Sequence, residues 1–246
     1  VSVDIHKTAT VEDGAKLADG VTIGAFCFIG RDVVLDEGVS VEASAIIRGK
    51  TRVAKNSKIF SFSVIGSDSL SVTIGESCVI REFVRIGIDE LEDSKHNDIT
   101  IGSECFLMGY VQVYSGVRLA NNCTITNAVR LCEGVECEER VVVGGLTTIE
   151  TGCKIGTGVM VGGASVVDRD IPPFMLVEGN KANIKGLNVI GLRRRLENRG
   201  DIEDIKGVFK KILGKKADKA LAEEIAGSNP NEFIKRLASF VATNNI

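Results

Sequence analysis

The chain has 246 residues, 44% of them hydrophobic, and a formal net charge of −3. That is enough apolar matter for a sizeable core, and the near-neutral balance excludes recognition of a polyanion through bulk charge. No stretch approaches the ~20 apolar residues that cross a bilayer, and the N-terminal residues form no charged-then-apolar leader, so a cytoplasmic location is expected.

From the start of the chain an aliphatic residue returns every sixth position: Ile5, Val11, Leu17, Ile23, Ile29, Leu35, Val41, Ile47, Val53, Ile59 and Ile65. A smaller residue stands two places before each, as in Val21, Cys27, Val33 and Ala45. A period of six fits neither a helix nor an alternating strand. It predicts a hexapeptide-repeat parallel β-helix, in which each hexad makes one short face of a prism. Turn residues after the aliphatic, such as Gly24, Gly30, Asp36 and Gly66, allow the chain to take a corner. The phase slips by three at Ser67–Ser71 and resumes at Ile74, Ile80 and Ile86. A polar stretch, Gly87–Asp98, interrupts it again. Both interruptions read as loops leaving a corner, where insertions cost least.

The repeat then runs unbroken for twelve hexads, from Ile101 through Leu107, Val113, Leu119, Ile125 and Leu131 to Val167. In all there are 26 hexads, between eight and nine three-faced coils, or roughly 40 Å of prism at about 4.8 Å per coil. Low aromatic content (5%, no Trp) suits so narrow an interior. The repeat ends at Asp170-Ile-Pro-Pro173, since proline donates nothing to a ladder. The expected organisation is therefore an all-β prism over residues 1–173 and a connector with helices over residues 174–246. In that tail Leu187–Glu197 is basic. Ile202, Ile205, Val208, Phe209 and Ile212 mark an amphipathic helix stopped by Gly214, and Ala217–Ala226 and Asn231–Ala242 read as two more. Flat apolar sides, with Gly144, Gly145, Gly162 and Gly163 permitting close approach, point to a homotrimer.

Six of the seven cysteines (Cys27, Cys78, Cys105, Cys123, Cys137 and Cys153) occupy inward positions of hexads, as small hydrophobes would. Only Cys132 falls outside. No pair has zinc-site spacing, so no metal is expected, and nothing in the sequence calls for a cofactor.

The segment Val177-Glu-Gly-Asn-Lys-Ala-Asn-Ile-Lys-Gly-Leu-Asn-Val-Ile-Gly-Leu-Arg-Arg-Arg195 resembles the nucleotide-binding and tail-entry segment of the UDP-N-acetylglucosamine acyltransferases that start lipid A synthesis. Ile80-Arg-Glu-Phe-Val84, Leu119-Ala-Asn-Asn122, Val159-Met-Val-Gly-Gly163 and Asp170-Ile-Pro-Pro173 are similar to the same family. The resemblance covers nearly the whole chain. It implies a left-handed β-helix, a homotrimer with sites in clefts between subunits, and transfer of a hydroxyacyl chain from acyl carrier protein to the 3-hydroxyl of a UDP-sugar. In the family a His acts as general base on that hydroxyl and an adjacent Asp orients it.

Here the position matching the catalytic His is Ser115, and the Asp beside it is Gly116. Three further family His positions are Gln112, Gly134 and Glu150, and Thr151 stands where the family has Gln. The Gly66–Val72 loop has also lost the family's Lys-containing segment. By the same resemblance Asn188, Arg194 and Arg195 would hold UDP, since guanidinium groups suit diphosphate oxygens. The competing reading of Arg193–Arg195 is a solvated helix face. Gly163 matches the position that gauges acyl length, with tight corner packing as its other reading.

Of the two histidines, His6 reads as a solvated terminal residue, and His96 lies in the Gly87–Asp98 loop beside the altered hexads. A loop His is ordinarily just exposed, but this one could fold into the cleft. Tyr110, Tyr114, Glu133 and Glu150 are outward groups, and each is a poor base for an alcohol without a shifted pKa. Two functions remain open on the sequence. One is an acyltransferase of this family that is impaired or altered. The other is a non-catalytic paralogue that binds a UDP-sugar or acyl carrier protein in an assembly or regulatory role.

Overall fold

The computed structural model describes residues 2–88, 96–196, 200–214 and 217–246. Twenty-six short strands, from Asp4–Ile5 to Val166–Val167, wind into a left-handed parallel β-helix with three faces. Face 1 has eleven strands and begins at Asp4–Ile5. Face 2 has nine and begins at Thr10–Val11. Face 3 has eight and begins at Lys16–Leu17. Each strand pairs in parallel with the equivalent strand one coil on, as in Thr124↔Val142 and Ile125↔Val143.

The hexad explains this geometry. Its small residue and its aliphatic residue both point inward, with one outward residue between them. Cys123 and Ile125 are fully buried while Thr124 is half-exposed. In-register stacking places aliphatic on aliphatic along the whole axis, a continuous close-packed core. The first coil is the exception. Ile5 is 43% exposed because no coil lies below it.

Most turns at the three corners hold a residue in the left-handed region. On corner 1–2 these are mostly not glycine, and Phe62, Phe83 and Tyr110 (φ 64°, 60° and 65°) stack outside the prism at 5.1 and 4.9 Å. On corner 2–3 they include Gly116, Gly134 and Gly152 (φ 72°, 66° and 72°). Both interruptions of the repeat leave from corner 2–3, between Val64–Ile65 and Ser71–Ile74 and between Arg85–Ile88 and Asp98–Ile101. The middle of the second loop, residues 89–95, lies outside the described residues.

The paired prolines end the hexads but not the sheet. Met175–Glu178 still adds to face 1 in parallel (Met160↔Leu176), and Asn183–Leu187 closes it antiparallel. Pro172 and Pro173 sit in the turn before that strand, where no ladder donor is required. Four helices follow: α1 (Val189–Arg193), α2 (Gly200–Ile212), α3 (Lys219–Ser228) and α4 (Glu232–Thr243). The expected basic stretch thus divides into the end of a strand and a short helix. Asp218 and Asn231 cap α3 and α4 by accepting backbone N–H bonds. The tail folds back on the last coils. Arg236 Nη1 donates to Thr157 Oγ1 at 3.2 Å, the Asn245 N–H donates to Asp170 at 3.0 Å, and the Phe233 ring meets Phe174 at 5.4 Å. Among the described residues no helix is long and apolar enough to cross a membrane.

Candidate functional site

Corner 2–3 collects the positions expected to differ from the family pattern. Ser115 is only 3% exposed, and its N–H donates to the Ile88 carbonyl at 3.2 Å. The Gly116 N–H donates to the Asp98 carbonyl at 2.9 Å. The two ends of the Gly87–Asp98 loop are therefore hydrogen-bonded to adjacent residues of this corner. One coil on, the Gly134 N–H donates to the Ser115 carbonyl, and one further on the Gly152 N–H donates to that of Glu133. Gln112 projects from face 2 in register with Arg130 and Thr148. Glu150 and Thr151 are exposed at the next turn of the same corner. The structure thus gathers Gln112, Ser115, Gly116, Gly134, Glu150 and Thr151 on one edge of the prism.

His96 lies on that edge too. A Cβ built on Gly116 would fall 2.4 Å from His96 Cγ and 2.8 Å from its Cδ2, and one built on Gly134 would fall 3.1 Å from Nε2. The imidazole occupies the space that side chains at those two positions would fill. The next two residues tie down its backbone. The Asn97 carbonyl accepts from the Ser71 N–H at 2.8 Å, and the Asp98 carboxylate pairs with Arg118 at 2.7 Å. The residue as a whole is exposed.

The other polar candidates separate from this group. Tyr114 is only 7% exposed because the Arg130 guanidinium covers its ring at 4.6 Å, on the outer side of face 2 where Arg130 stands in register with Gln112. Tyr110 is exposed but belongs to the corner 1–2 stack. His6 stands in the first coil, with Nδ1 2.9 Å from Thr8 Oγ1.

The residues matched to nucleotide binding gather on corner 3–1. Asn188 Oδ1 accepts from the Gly191 N–H, capping α1, and its Nδ2 donates to the Gly158 carbonyl, both at 3.0 Å. Arg193 and Arg194 face solvent, as a solvated helix face would. Arg195 does not. Its guanidinium carbon lies 5.5 Å from the Phe174 ring and 5.3 Å from that of Phe233. Its Nη1 is buried without a hydrogen-bond partner. Gly158 makes room for it, since a Cβ there would lie 2.7 Å from Nη1. Burial, then the charges of Arg140 and Arg236, push this guanidinium below its ordinary pKa, against a smaller opposing pull from Glu139. It lines a cavity of about 640 Å³ together with Glu138, Phe174, Phe233 and Arg236. The lining carries Arg195, Lys235 and Arg236 against Glu138 and Glu232, and a small basic excess beside an unsatisfied donor suits an anion with several oxygens. Sequence reasoning missed the part played by Arg140, Arg236 and the two phenylalanines, which lie on three separated segments.

Gly163 is exposed on corner 1–2, where a Cβ would fall 3.2 Å from the Gly145 carbonyl, and Leu146 beside it is 73% exposed. Gly144 is small for a reason internal to the chain: a Cβ there would meet the backbone of Gly163 at 2.5 Å. Six cysteines are buried, Cys132 is partly so, and none of the seven is in a disulfide.

Known proteins match this architecture closely. A family model described as Udp N-acetylglucosamine O-acyltransferase, Domain 2, matches residues 170–245. The acyl-[acyl-carrier-protein]–UDP-N-acetylglucosamine O-acyltransferase of Aliarcobacter butzleri is 43% identical, covering 97% of this chain and 95% of the relative. Its counterpart from Campylobacter concisus is 34% identical over 97% and 94%. The solved UDP-N-acetylglucosamine acyltransferase from Campylobacter jejuni superposes with a TM-score of 0.90 at 32% identity, covering 98% of this chain and 97% of that one.

Proposed function

Because this chain belongs to the UDP-N-acetylglucosamine O-acyltransferase family, we propose that it transfers an acyl group from acyl carrier protein to a UDP-amino sugar in lipid A biosynthesis, through a site altered at its base. The observation that carries this reading is the buried, partnerless Nη1 of Arg195, at the wall of a cavity that Arg195 and Arg236 both line and within the field of Arg140. A diphosphate supplies the oxygens that the guanidinium lacks. Asn188 caps the short helix that leads into Arg195 rather than facing the cavity with an unused group.

The nucleotide end and the altered positions sit on different corners of one prism. A single chain cannot close them into one cleft, whereas neighbouring copies in a homotrimer can present one corner each. The exposed Leu146 and Gly163 offer an apolar path for the acyl chain, with Gly163 setting its depth.

A second reading has its own support. Gly116 and Gly134 remove two side chains from the chemical corner, which favours a paralogue that binds UDP-sugar or acyl carrier protein without turnover. The deciding experiment pairs calorimetry with UDP-N-acetylglucosamine and an acyl-transfer assay with hydroxyacyl-carrier substrates. Binding with turnover supports the enzyme. Binding without turnover supports the paralogue. No heat at millimolar nucleotide rejects the Arg195 site. Sedimentation giving a monomer rejects the shared cleft.

A further inference from the structure

We propose that His96, delivered by the inserted loop into a seat made by Gly116 and Gly134, is the general base of this site. The inference rests on the acyltransferase reading above and names the group that completes it.

The argument is steric before it is chemical. The imidazole lies where a Cβ on Gly116 would be 2.4 Å from Cγ, a separation that no pair of side chains adopts. His96 in this position and an aspartate at 116 exclude one another. At Gly134 the clearance is finer, 3.1 Å to Nε2, and a side chain as large as histidine would take the place of the ring. The two missing side chains and the histidine in the loop are thus one arrangement. It is also anchored. The loop ends bond to the N–H groups of Ser115 and Gly116, and Asn97 and Asp98 are held by Ser71 and Arg118. His96, an exposed residue with Nε2 beside the Cβ position of Gly134, one coil from Ser115, stands on the edge where the transferred acyl group and the accepting hydroxyl have to meet.

The chemistry balances with no further component. The neutral imidazole takes the proton of the sugar hydroxyl as its oxygen bonds to the thioester carbonyl carbon, and the carbonyl electron pair moves to oxygen. When the tetrahedral species collapses, the carbon–sulfur bond breaks. The carrier thiolate leaves and takes the proton from the imidazolium. Ester, thiol and neutral imidazole result.

The test uses the full chain with hydroxyacyl-carrier protein and UDP-N-acetylglucosamine. His96→Ala is expected to lower kcat by about 10²-fold or more, while KM for the nucleotide sugar stays within about threefold. Added imidazole, filling the space against the two glycines, is expected to restore part of the loss. A second pair of variants isolates the seat. Gly134→Ala and Gly152→Ala occupy equivalent corner positions with φ of 66° and 72°, so both carry the same backbone strain. A Cβ on Gly152 has no atom within 4 Å, whereas the one on Gly134 meets His96. Only Gly134→Ala should reduce kcat. Full turnover by His96→Ala overturns the inference and leaves the acyltransferase reading in place. Equal losses in the two glycine variants overturn the seat. A wild-type protein that binds nucleotide sugar but never turns over overturns both the inference and that reading.

Discussion

Two corners of this prism use the same device to different degrees. On corner 3–1 Gly158 clears space for Arg195, a side chain brought in from the tail. On corner 2–3 Gly116 and Gly134 clear space for His96, brought in from a loop. Arg195 is also flanked by Phe174 and Phe233 and enclosed by α4, whereas His96 is exposed and has its place from the loop ends. The difference shows where a β-helix is free to change. Inward residues of each hexad carry the fold. Corner residues are free of that duty, and those on an open corner can be exchanged with little effect on the core, while those roofed by the tail are tied to the packing around them.

The variant that should fail both corners alike removes the scaffold beneath them. Ile125→Ala opens a cavity in a fully buried column and should cost about 3 kcal/mol. For a chain of this size that is roughly 10 °C in Tm by calorimetry. Loss of function at one corner only, with Tm unchanged, would show that the core is not shared.

Arg195→Met separates ligand binding from folding. Losing a charge-assisted pair should weaken UDP-N-acetylglucosamine binding by roughly 30-fold, about 2 kcal/mol. The unliganded protein should be no less stable, because the guanidinium is desolvated beside Arg140 and Arg236 and Nη1 bonds nothing. A large fall in unliganded Tm would mean that its contacts with the rings outweigh that burden. Asn188→Ala should act in the opposite sense. It removes the cap of α1 and the bond to Gly158, costing about 1 kcal/mol of stability, and weakens nucleotide binding only through the displaced helix.

The contrast between corners also governs what could be read from the sequence. The inward columns repeat every six residues, so the prism, its 26 strands and the helical tail were legible from spacing alone. The positions expected to be altered lie on three successive coils, and the period of six was enough to stack them on one edge. The seat of His96 was not, since it depends on which corner the loop leaves from and on two glycines 18 residues apart coming under one ring. Nor was the enclosure of Arg195, which joins Arg140, Phe174, Phe233 and Arg236. The prolines misled locally, because their missing donors fall in a turn. The burial of Tyr114 was not legible either, since the Arg130 guanidinium that covers its ring comes from the next coil.

The smallest effect concerns the cysteines, which divide between interior and corner as the rest of the chain does. Cys132 is on corner 2–3 and partly exposed, whereas the other six are buried. A thiol reagent at pH 8 should therefore modify one thiol per native chain, and Cys132→Ser should abolish that reaction. The interior thiols also set a pH dependence. Burial pushes Cys153 up to about 11, with Asp170, Asp168 and Glu150 adding to it. Cys105 is pushed up to about 12, chiefly by its contact with Cys123 and despite a lowering contact with Cys78. In the unfolded chain a thiol titrates near ~8.5. Above that pH the unfolded state has lost protons that the folded state keeps, so stability falls as pH rises. The contribution is fully present below about 8.5 and declines through the window up to about 11. Thermal unfolding followed between those limits should show Tm decreasing, and Cys153→Ala should flatten the decline without altering nucleotide binding. An unchanged slope in that variant would assign the alkaline loss to groups outside the core.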